Sequence, residues 1–126
     1  MLIGNLNSKL SKSKRNGSII NTLGKLGDSK NPIFKMKTLP PIEMRWIRLN
    51  KGDKKTRPHK HDEIDSMIIL IKGRHEVLVN DKEKIILKDV GDYIFLEPGD
   101  LHKWETKKNT LLLVIRWIVP SPFITH

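Results

Sequence analysis

Two of the five histidines are near neighbours in the sequence, and a third follows a tight turn further along. His59 and His61 are two residues apart at the expected start of a strand, where this spacing places both imidazoles on one face. His102 lies 41 residues after His61, just past the turn Pro98-Gly99. A transition metal bound by a protein needs three or four ligands that converge from different strands. A close pair on one strand plus a third histidine across a barrel is one way to supply them.

The histidines lie in a frame of glycine and proline residues. The frame runs from Gly52 through six residues to His59-Lys60-His61, and then to Gly73. Its second part is the stretch Gly91 to His102, which holds Pro98-Gly99-Asp100-Leu101-His102 and is the most specific part. This frame closely resembles the two motifs of the cupin superfamily, small β-barrels of the jelly-roll type. The resemblance covers roughly residues 42–119.

The resemblance implies a set of metal ligands. His59, His61 and His102 match the three histidine ligands of the family. The family's fourth ligand is a glutamate, and here that slot falls on Ser66 when counted back from Gly73. Counted forward from His61, the shorter spacing variant of the motif falls on Asp65. Three outcomes stay open: a three-histidine site, a site completed by Asp65, or a vestigial site with little metal, since a serine hydroxyl is a poor ligand beside imidazole.

A centre of this kind would hold a divalent transition metal, namely Fe, Mn, Ni or Zn. Its open positions could polarise a carbonyl, lower the pKa of a bound water or, with iron, bind dioxygen. The resemblance therefore implies a small metal-dependent cupin acting on a small organic molecule, with dioxygenase-, isomerase- or lyase-type chemistry. Ser66 in the glutamate slot motivates the alternative, a non-catalytic cupin that binds or senses a small ligand, with or without metal. Fold alone does not decide between these functions.

Other side chains are candidates for lining a substrate pocket. Planar aromatic groups could stack on a ring or sugar face, and a guanidinium could clamp a carboxylate or a phosphate. Each also has a plain structural interpretation, as core packing or as a charged group at the barrel rim. His75 and Glu105 are candidate acid–base groups, and we expect His75 to be exposed to solvent. The pocket candidates are Ser66, Trp46, Arg48, Tyr93 and Trp104, and Arg116 is a further candidate clamp.

Short β-rich runs must position these residues. Turn signals separate seven runs at intervals of 8–12 residues, which is typical of an antiparallel sandwich or barrel. The predicted fold class is all-β, a cupin-type jelly-roll β-barrel. The apolar runs Met67–Ile71 and Leu111–Ile115 predict strands buried on both faces, and therefore a homodimer. The seven runs are Glu43–Leu49, Ser66–Ile71, His75–Val79, Lys84–Leu87, Tyr93–Leu96, Lys103–Thr106 and Thr110–Val119.

The first 38 residues differ in composition from the rest. The chain of 126 residues has a net charge of +10, and residues 1–38 hold eight Lys/Arg and one acid. We therefore divide it into a basic N-terminal arm, residues 1–38, and a cupin β-barrel domain, residues 39–126. The arm is predicted to be partly extended or to form a short helix, because Ile19, Ile20, Leu23 and Leu26 fall at helical spacing. The charge leaves contact with nucleic acid open, but no nucleic-acid motif accompanies it, and a solvated tail is the interpretation that we favour.

Composition excludes several classes. The longest apolar runs have five residues, whereas a membrane helix needs about 20. The first ten residues lack the apolar core of a secretory signal. The absence of cysteine excludes disulfides, thiol nucleophiles and thiolate zinc sites. We expect a cytoplasmic protein whose partner is a small-molecule ligand.

Overall fold

All regular structure in the described part of the chain is β-strand. The computed structural model describes residues 5, 12–15, 18–23, 42–59 and 63–119. None of the described residues forms a helix long and apolar enough to cross a membrane. The strands of the described residues are β1 Lys12–Arg15, β2 Ser18–Leu23, β3 Ile42–Leu49, β4 Lys54–His59, β5 Ile64–Lys72, β6 His75–Val79, β7 Glu83–Leu87, β8 Tyr93–Leu96, β9 His102–Thr106 and β10 Thr110–Ile118.

The strands form two antiparallel sheets. One has six strands in the order β1-β2-β3-β10-β5-β8, and the other has four in the order β4-β9-β6-β7. Apolar side chains from both sheets pack together as the core, with Leu49, Leu70 and Leu112 from the large sheet and Leu87 from the small one. The predicted all-β antiparallel class is confirmed. Between the described strands no hydrogen-bonded ladder joins the two sheets, so this part is a sandwich and not a closed barrel.

The N-terminal strands extend the large sheet. β2 pairs with β3 over five residues, and Ile20 is buried on the inner face opposite Ile47. We expected either an extended segment or a short helix here. Ser18–Leu23 is extended and does not form the helix. Its apolar residues pair with a neighbouring strand, and this long-range pairing overrides a weak helical spacing. Leu26 and the remaining residues up to 38 lie outside the described part.

Strand β4 has no counterpart among the predicted runs. Its sequence Lys-Lys-Thr-Arg-Pro-His has almost no apolar alternation, so the sequence gives little signal for it. It lies at the edge of the small sheet, and its pairing with β9 is irregular between Lys55 and His59. Edge strands tolerate both proline and charged side chains. His59 is consequently the last residue of a strand, and not near the start of one as expected.

Two turns fix the neighbouring strands in register. Asn80 and Asp81 both have positive φ, 53° and 54°, a conformation that Asn and Asp tolerate, and the Lys82 N–H donates to the Val79 carbonyl at 3.1 Å across the turn. Gly73 has a φ of 101° at the turn between β5 and β6. A Cβ on Gly73 would collide with the backbone and side chain of Asn109 and Thr110, so the turn requires glycine there.

Candidate metal centre and its ionic row

The interior between the sheets is apolar at one end and polar at the other. Strand alternation turns the even residues of β10 inward, and these run from Thr110 and Leu112 through Val114 to Arg116. Cross-strand partners share a face, so each of these residues belongs to a row that crosses the large sheet. The row of Leu112 is apolar, the row of Val114 ends in Arg45 on β3, and the row of Arg116 is ionic. The candidate site lies at this polar end.

The position of His102 is fixed by the loop before it. The backbone N–H of Leu101 donates to Oδ1 of Asn80 at 2.9 Å, and the N–H of Asn80 donates to the carbonyl of Leu101 at 2.6 Å. Nδ2 of Asn80 also donates to Asp100 Oδ1 at 3.3 Å. The hairpin between β6 and β7 is thereby joined to the segment that precedes His102. Asn80 is a residue that sequence reasoning missed as part of the site, although its turn was recognised.

One ring nitrogen of His102 is held by the backbone. Its Nδ1 lies 3.3 Å from the carbonyl oxygen of Asp100. Since a carbonyl can only accept, Nδ1 donates there and Nε2 keeps its lone pair. Burial lowers the pKa of His102 below its usual value, although the hydrogen bond to Asp100 acts in the opposite direction. The imidazole is therefore neutral at pH 7, which is the form that binds metals.

The backbone brings a second histidine position opposite the first. His59 and His102 are Cα partners across β4 and β9. Directly opposed residues of an antiparallel pair have Cα atoms about 4.5–5.5 Å apart. The side chain of His59 and the whole of His61 lie outside the described residues. Within the described part alone, no three His, Asp or Glu side chains gather as a ligand set.

Ser66 and Asp65 lie on opposite faces of β5. Ser66 is 9% exposed and is opposite Arg116 and Leu96, on the inner face. Asp65 is opposite Trp117, which alternates with the inward Arg116 along β10, so Asp65 is on the outer face. The count back from Gly73 thus selects the residue that faces inward, Ser66. This residue has no carboxylate.

A buried ion pair lies in the same row as Ser66. Nη1 of Arg116 donates to Oε1 of Glu43 at 3.0 Å, and these residues are 7% and 1% exposed. Arg45, two residues further along β3, forms an ion pair with the same carboxylate oxygen. The charge of Arg116, together with that of Lys55, also contributes to the lowered pKa of His102. Arg116 is therefore not an outward residue at the rim but part of the interior.

Glu43 was missed by sequence reasoning. Its available signal was its phase, since Glu43 lies on the same face of β3 as Arg45, Ile47 and Leu49. A carboxylate that is almost fully buried requires a cationic partner. Arg116, the charged residue in the otherwise apolar sequence of β10, could have been predicted as that partner.

The remaining pocket candidates divide between the two faces. Trp104 points inward, and its ring lies 5.5 Å from that of His75. Trp46 and Arg48 lie on the outer face of β3, because they alternate with the inward Glu43. Tyr93 is 64% exposed, on the outer face of β8. The structure brings Ser66 and Trp104 into the interior with His102 and does not bring Trp46, Arg48 or Tyr93 there.

The expectation that His75 is solvent-exposed is wrong. The residue is 2% exposed, and its Nδ1 lies 3.3 Å from Oγ1 of Thr106. Burial lowers the pKa of His75 to about 4, so the ring is neutral at pH 7. Arg74 and Glu76 surround it in sequence, but strand alternation turns His75 to the apolar end of the interior. Glu105 lies on the outer face, where Lys107 pairs with it at 3.2 Å.

Comparisons with known proteins identify the fold. No family model matches the sequence, and no curated protein matches it. Among solved structures, ectoine synthase from P. lautus is similar with a TM-score of 0.72 at 11% identity, over 100% of this chain and 84% of that one. KdgF from Halomonas sp. gives 0.65 at 16% identity, over 94% and 95%.

A third similar structure carries the family name. A cupin 2 conserved barrel domain protein from Salinispora arenicola CNS-205 gives a TM-score of 0.64 at 21% identity, over 93% of this chain and 88% of that one. Likeness at these identities establishes the fold, and function requires separate argument. The chain has the cupin fold, which confirms the fold that the motifs of the sequence implied.

Proposed function

We propose that the protein is a small metal-dependent cupin that acts on a small organic molecule at the polar end of its interior. His59, His61 and His102 would hold one divalent transition metal, Fe, Mn, Ni or Zn. The observation that carries the proposal is the state of His102: its Nδ1 donates to a backbone carbonyl, which leaves Nε2 as the donor, and its Cα partner is His59. Ligating histidines are typically oriented by such a hydrogen bond.

The residues present fit this group. A neutral, half-buried imidazole held by its own backbone is a good nitrogen ligand for these metals. When bound, the ion supplies Lewis acidity toward a carbonyl or hydroxyl group of the substrate. Asp65 lies on the outer face, so the proposed site has three histidines and no carboxylate from β5. The open positions favour a lyase, isomerase or dioxygenase that binds its substrate directly.

The surrounding residues would perform the positioning. Asn80 fixes the segment that carries His102, and Trp104 closes the interior behind it. Ser66 is small and buried opposite Arg116, at the position where the family motif has a glutamate. These are roles in orientation and in exclusion of water, and they require no movement of the strands.

A non-catalytic cupin that binds or senses a ligand is the second candidate. One observation favours it: the inward residue of the glutamate slot is Ser66, which cannot serve as a carboxylate base or ligand. Catalysis and sensing differ in turnover. Binding of a ligand by the metal-loaded protein, with no conversion of that ligand, would support this alternative.

Metal content tests the main proposal. The full chain, purified without chelator and loaded separately with Fe, Mn, Ni or Zn, should retain about one ion per chain by elemental analysis. His102→Ala should lose most of it, because one of the three nitrogens is gone. His75→Gln is the control, since His75 lies at the apolar end. Folded protein that takes up none of the four metals would refute the proposal.

A further inference from the structure

A groove outside the candidate metal centre lies on the outer face of the large sheet. Its volume is about 390 Å³, and its lining includes Trp46, Arg48, Lys72, Asn109 and Leu111. Trp46 and Arg48 are two residues apart on β3, so their side chains share a face and are about 7 Å apart along the strand. The groove therefore combines a planar indole with a guanidinium and an ammonium group.

The register of the large sheet places the two cations of this groove in one row. Leu111 of β10 is the Cα partner of both Arg48 and Lys72. Leu70, two residues before Lys72, faces inward, but the register shifts between Leu111 and Leu112. Such a bulge turns the next side chain to the other face. Arg48 and Lys72 consequently flank a leucine on the outer face.

No carboxylate of the described residues holds the guanidinium of Arg48. It takes part in none of the ion pairs among those residues, and its Nε is buried without a hydrogen-bond partner there. Its Cα partners, Ile19 on β2 and Leu111 on β10, are both apolar. Guanidinium N–H groups in such surroundings are strong donors to an anionic oxygen of a ligand.

Positive charge continues into a neighbouring groove at the same end of the sandwich. This second groove also has a volume of about 390 Å³, shares Lys72 and Asn109 with the first, and adds Lys51 and Lys108. Neither lining includes an aspartate or a glutamate. Asp53, in the adjacent turn, accepts a backbone N–H of that turn at 2.8 Å. The two grooves together present four cations to a ligand.

We propose that this outer surface binds single-stranded nucleic acid, with a base stacked on Trp46 and the adjoining phosphates bound by Arg48 and Lys72. Proteins that bind single strands combine an aromatic platform for the bases with a cationic groove for the phosphates, and this surface has both. A duplex keeps its bases stacked on one another, so it cannot use Trp46 in this way. The proposal is independent of the metal centre and adds a second binding function to the protein.

The length of the cationic row favours a polymer over a free nucleotide. Ile19 is the Cα partner of Arg48, and Lys14 of β1 is the Cα partner of Ile19. β1 has the sequence Lys-Ser-Lys-Arg, so the row runs from a basic strand to Lys72 on β5. These positions span five adjacent strands, about 19 Å at the usual strand spacing. Successive phosphates of a nucleic acid can contact cations over this distance, whereas one nucleotide cannot.

The test is fluorescence polarisation of the full chain with a labelled oligothymidylate of about 12 nucleotides, a length that one small domain can cover. The competitors are the corresponding duplex, thymidine monophosphate and inorganic polyphosphate. We expect the single strand to bind at low salt, more tightly than the duplex and at least about tenfold more tightly than the mononucleotide. Chelator-treated and zinc-loaded protein should bind it equally, because the groove is outside the metal centre.

Variants of the ring separate stacking from charge. Trp46→Leu should weaken binding by about tenfold, because it removes the platform for one base. Trp46→Phe keeps an aromatic face and should retain most of the affinity, which distinguishes loss of stacking from damage to the fold. Tyr93→Leu is the control, since Tyr93 is an exposed aromatic residue on the same face but outside both grooves, and it should match the original chain.

Variants of the cations test the phosphate contacts. Arg48→Gln and Lys72→Gln should each reduce the slope of log affinity against log salt concentration by about 0.7, the value for one phosphate contact on a single strand. Lys54→Gln removes the same charge from the exposed face of the small sheet and should leave the slope unchanged. The proposal is overturned by absence of binding at low salt, by equal binding of single strand and duplex, or by equal effects of Lys54→Gln and Lys72→Gln. Affinity that Trp46→Leu leaves unchanged, or full displacement by polyphosphate at equal phosphate concentration, would show charge attraction alone and would also overturn it.

Discussion

Single residues of the interior show how strand phase decides between solvent and core. His75, between an arginine and a glutamate, is buried beside Trp104 and Thr106, and its pKa is lowered to about 4 by burial. The same alternation places Glu43 inside with Arg116 as its partner. Both residues have consequences for stability that can be measured independently of function.

The stability of the metal-free protein should fall as the pH drops from about 6.5 to about 4. The folded pKa of His75 lies below the unfolded value, so in this window the unfolded chain binds a proton that the folded chain does not. The loss attributable to His75 is about 3 kcal/mol at its largest. Urea unfolding of the original chain and of His75→Gln measures it. The difference isolates His75 from His102, whose pKa is also lowered. An identical pH dependence in both proteins would contradict this account.

Loss of the Glu43 carboxylate should be strongly destabilising. Glu43→Gln leaves Arg116 buried without its ion partner, and breaking such a pair costs about 3–5 kcal/mol. Glu105→Gln is the matched control, because its pair with Lys107 is exposed and is worth about 1 kcal/mol or less. Denaturant midpoints of the two variants provide the comparison. Equal midpoints would mean that the buried Glu43–Arg116 pair stabilises the protein no more than the exposed Glu105–Lys107 pair does.

Strands and turns carry the site residues. The sequence predicted some of these strands well and gave no signal for others. The runs His75–Val79 and Tyr93–Leu96 have the predicted bounds, because apolar residues between turn signals mark them clearly. β4 was missed since its charged sequence gives no alternation, and β2 was ambiguous because its pairing depends on the distant β3. His102 could be found from its motif, but the ionic row could not, since which charges share an interior depends on register across β3, β10 and β5.

The hairpin between β6 and β7 should act on the metal site through the loop before His102. Asn80→Ala removes the acceptor for the Leu101 N–H and the donor to Asp100, so His102 should be less well held. We expect metal affinity to fall by about tenfold, as for other supporting residues. Asn109→Ala is the control, because Asn109 also bridges loops, through the Lys51 N–H at 2.9 Å, but away from the histidines. Titration with zinc against a competing chelator measures both, and equal affinities would contradict the assigned role.

At the scale of the whole molecule, the outer face of the large sheet is apolar near β8 and β10. The rings of Phe95 and Trp117 are stacked with centroids 5.8 Å apart, and Phe95 and Tyr93 are 39% and 64% exposed. Exposed apolar patches of this kind often mark protein–protein contacts. The homodimer expected from the apolar runs of β5 and β10 stays a prediction, and this face is where we would place its contact.

Phe95→Glu should convert such a dimer to a monomer, because it adds a charge to the apolar face that would be buried against the partner. Light scattering after gel filtration measures the mass in solution. Val90→Glu is the control, since Val90 is 77% exposed in the turn before β8. A monomeric original chain, or a dimer that Phe95→Glu leaves intact, would contradict the prediction.

X-ray absorption at the nickel edge of the nickel-loaded full chain would identify the atoms that bind the ion. We expect nitrogen ligands that include the imidazoles of His59, His61 and His102, with one imidazole fewer in the fraction of the His102→Ala protein that still holds nickel. A nickel shell of oxygen alone, or a shell that His102→Ala leaves unchanged, would contradict this expectation.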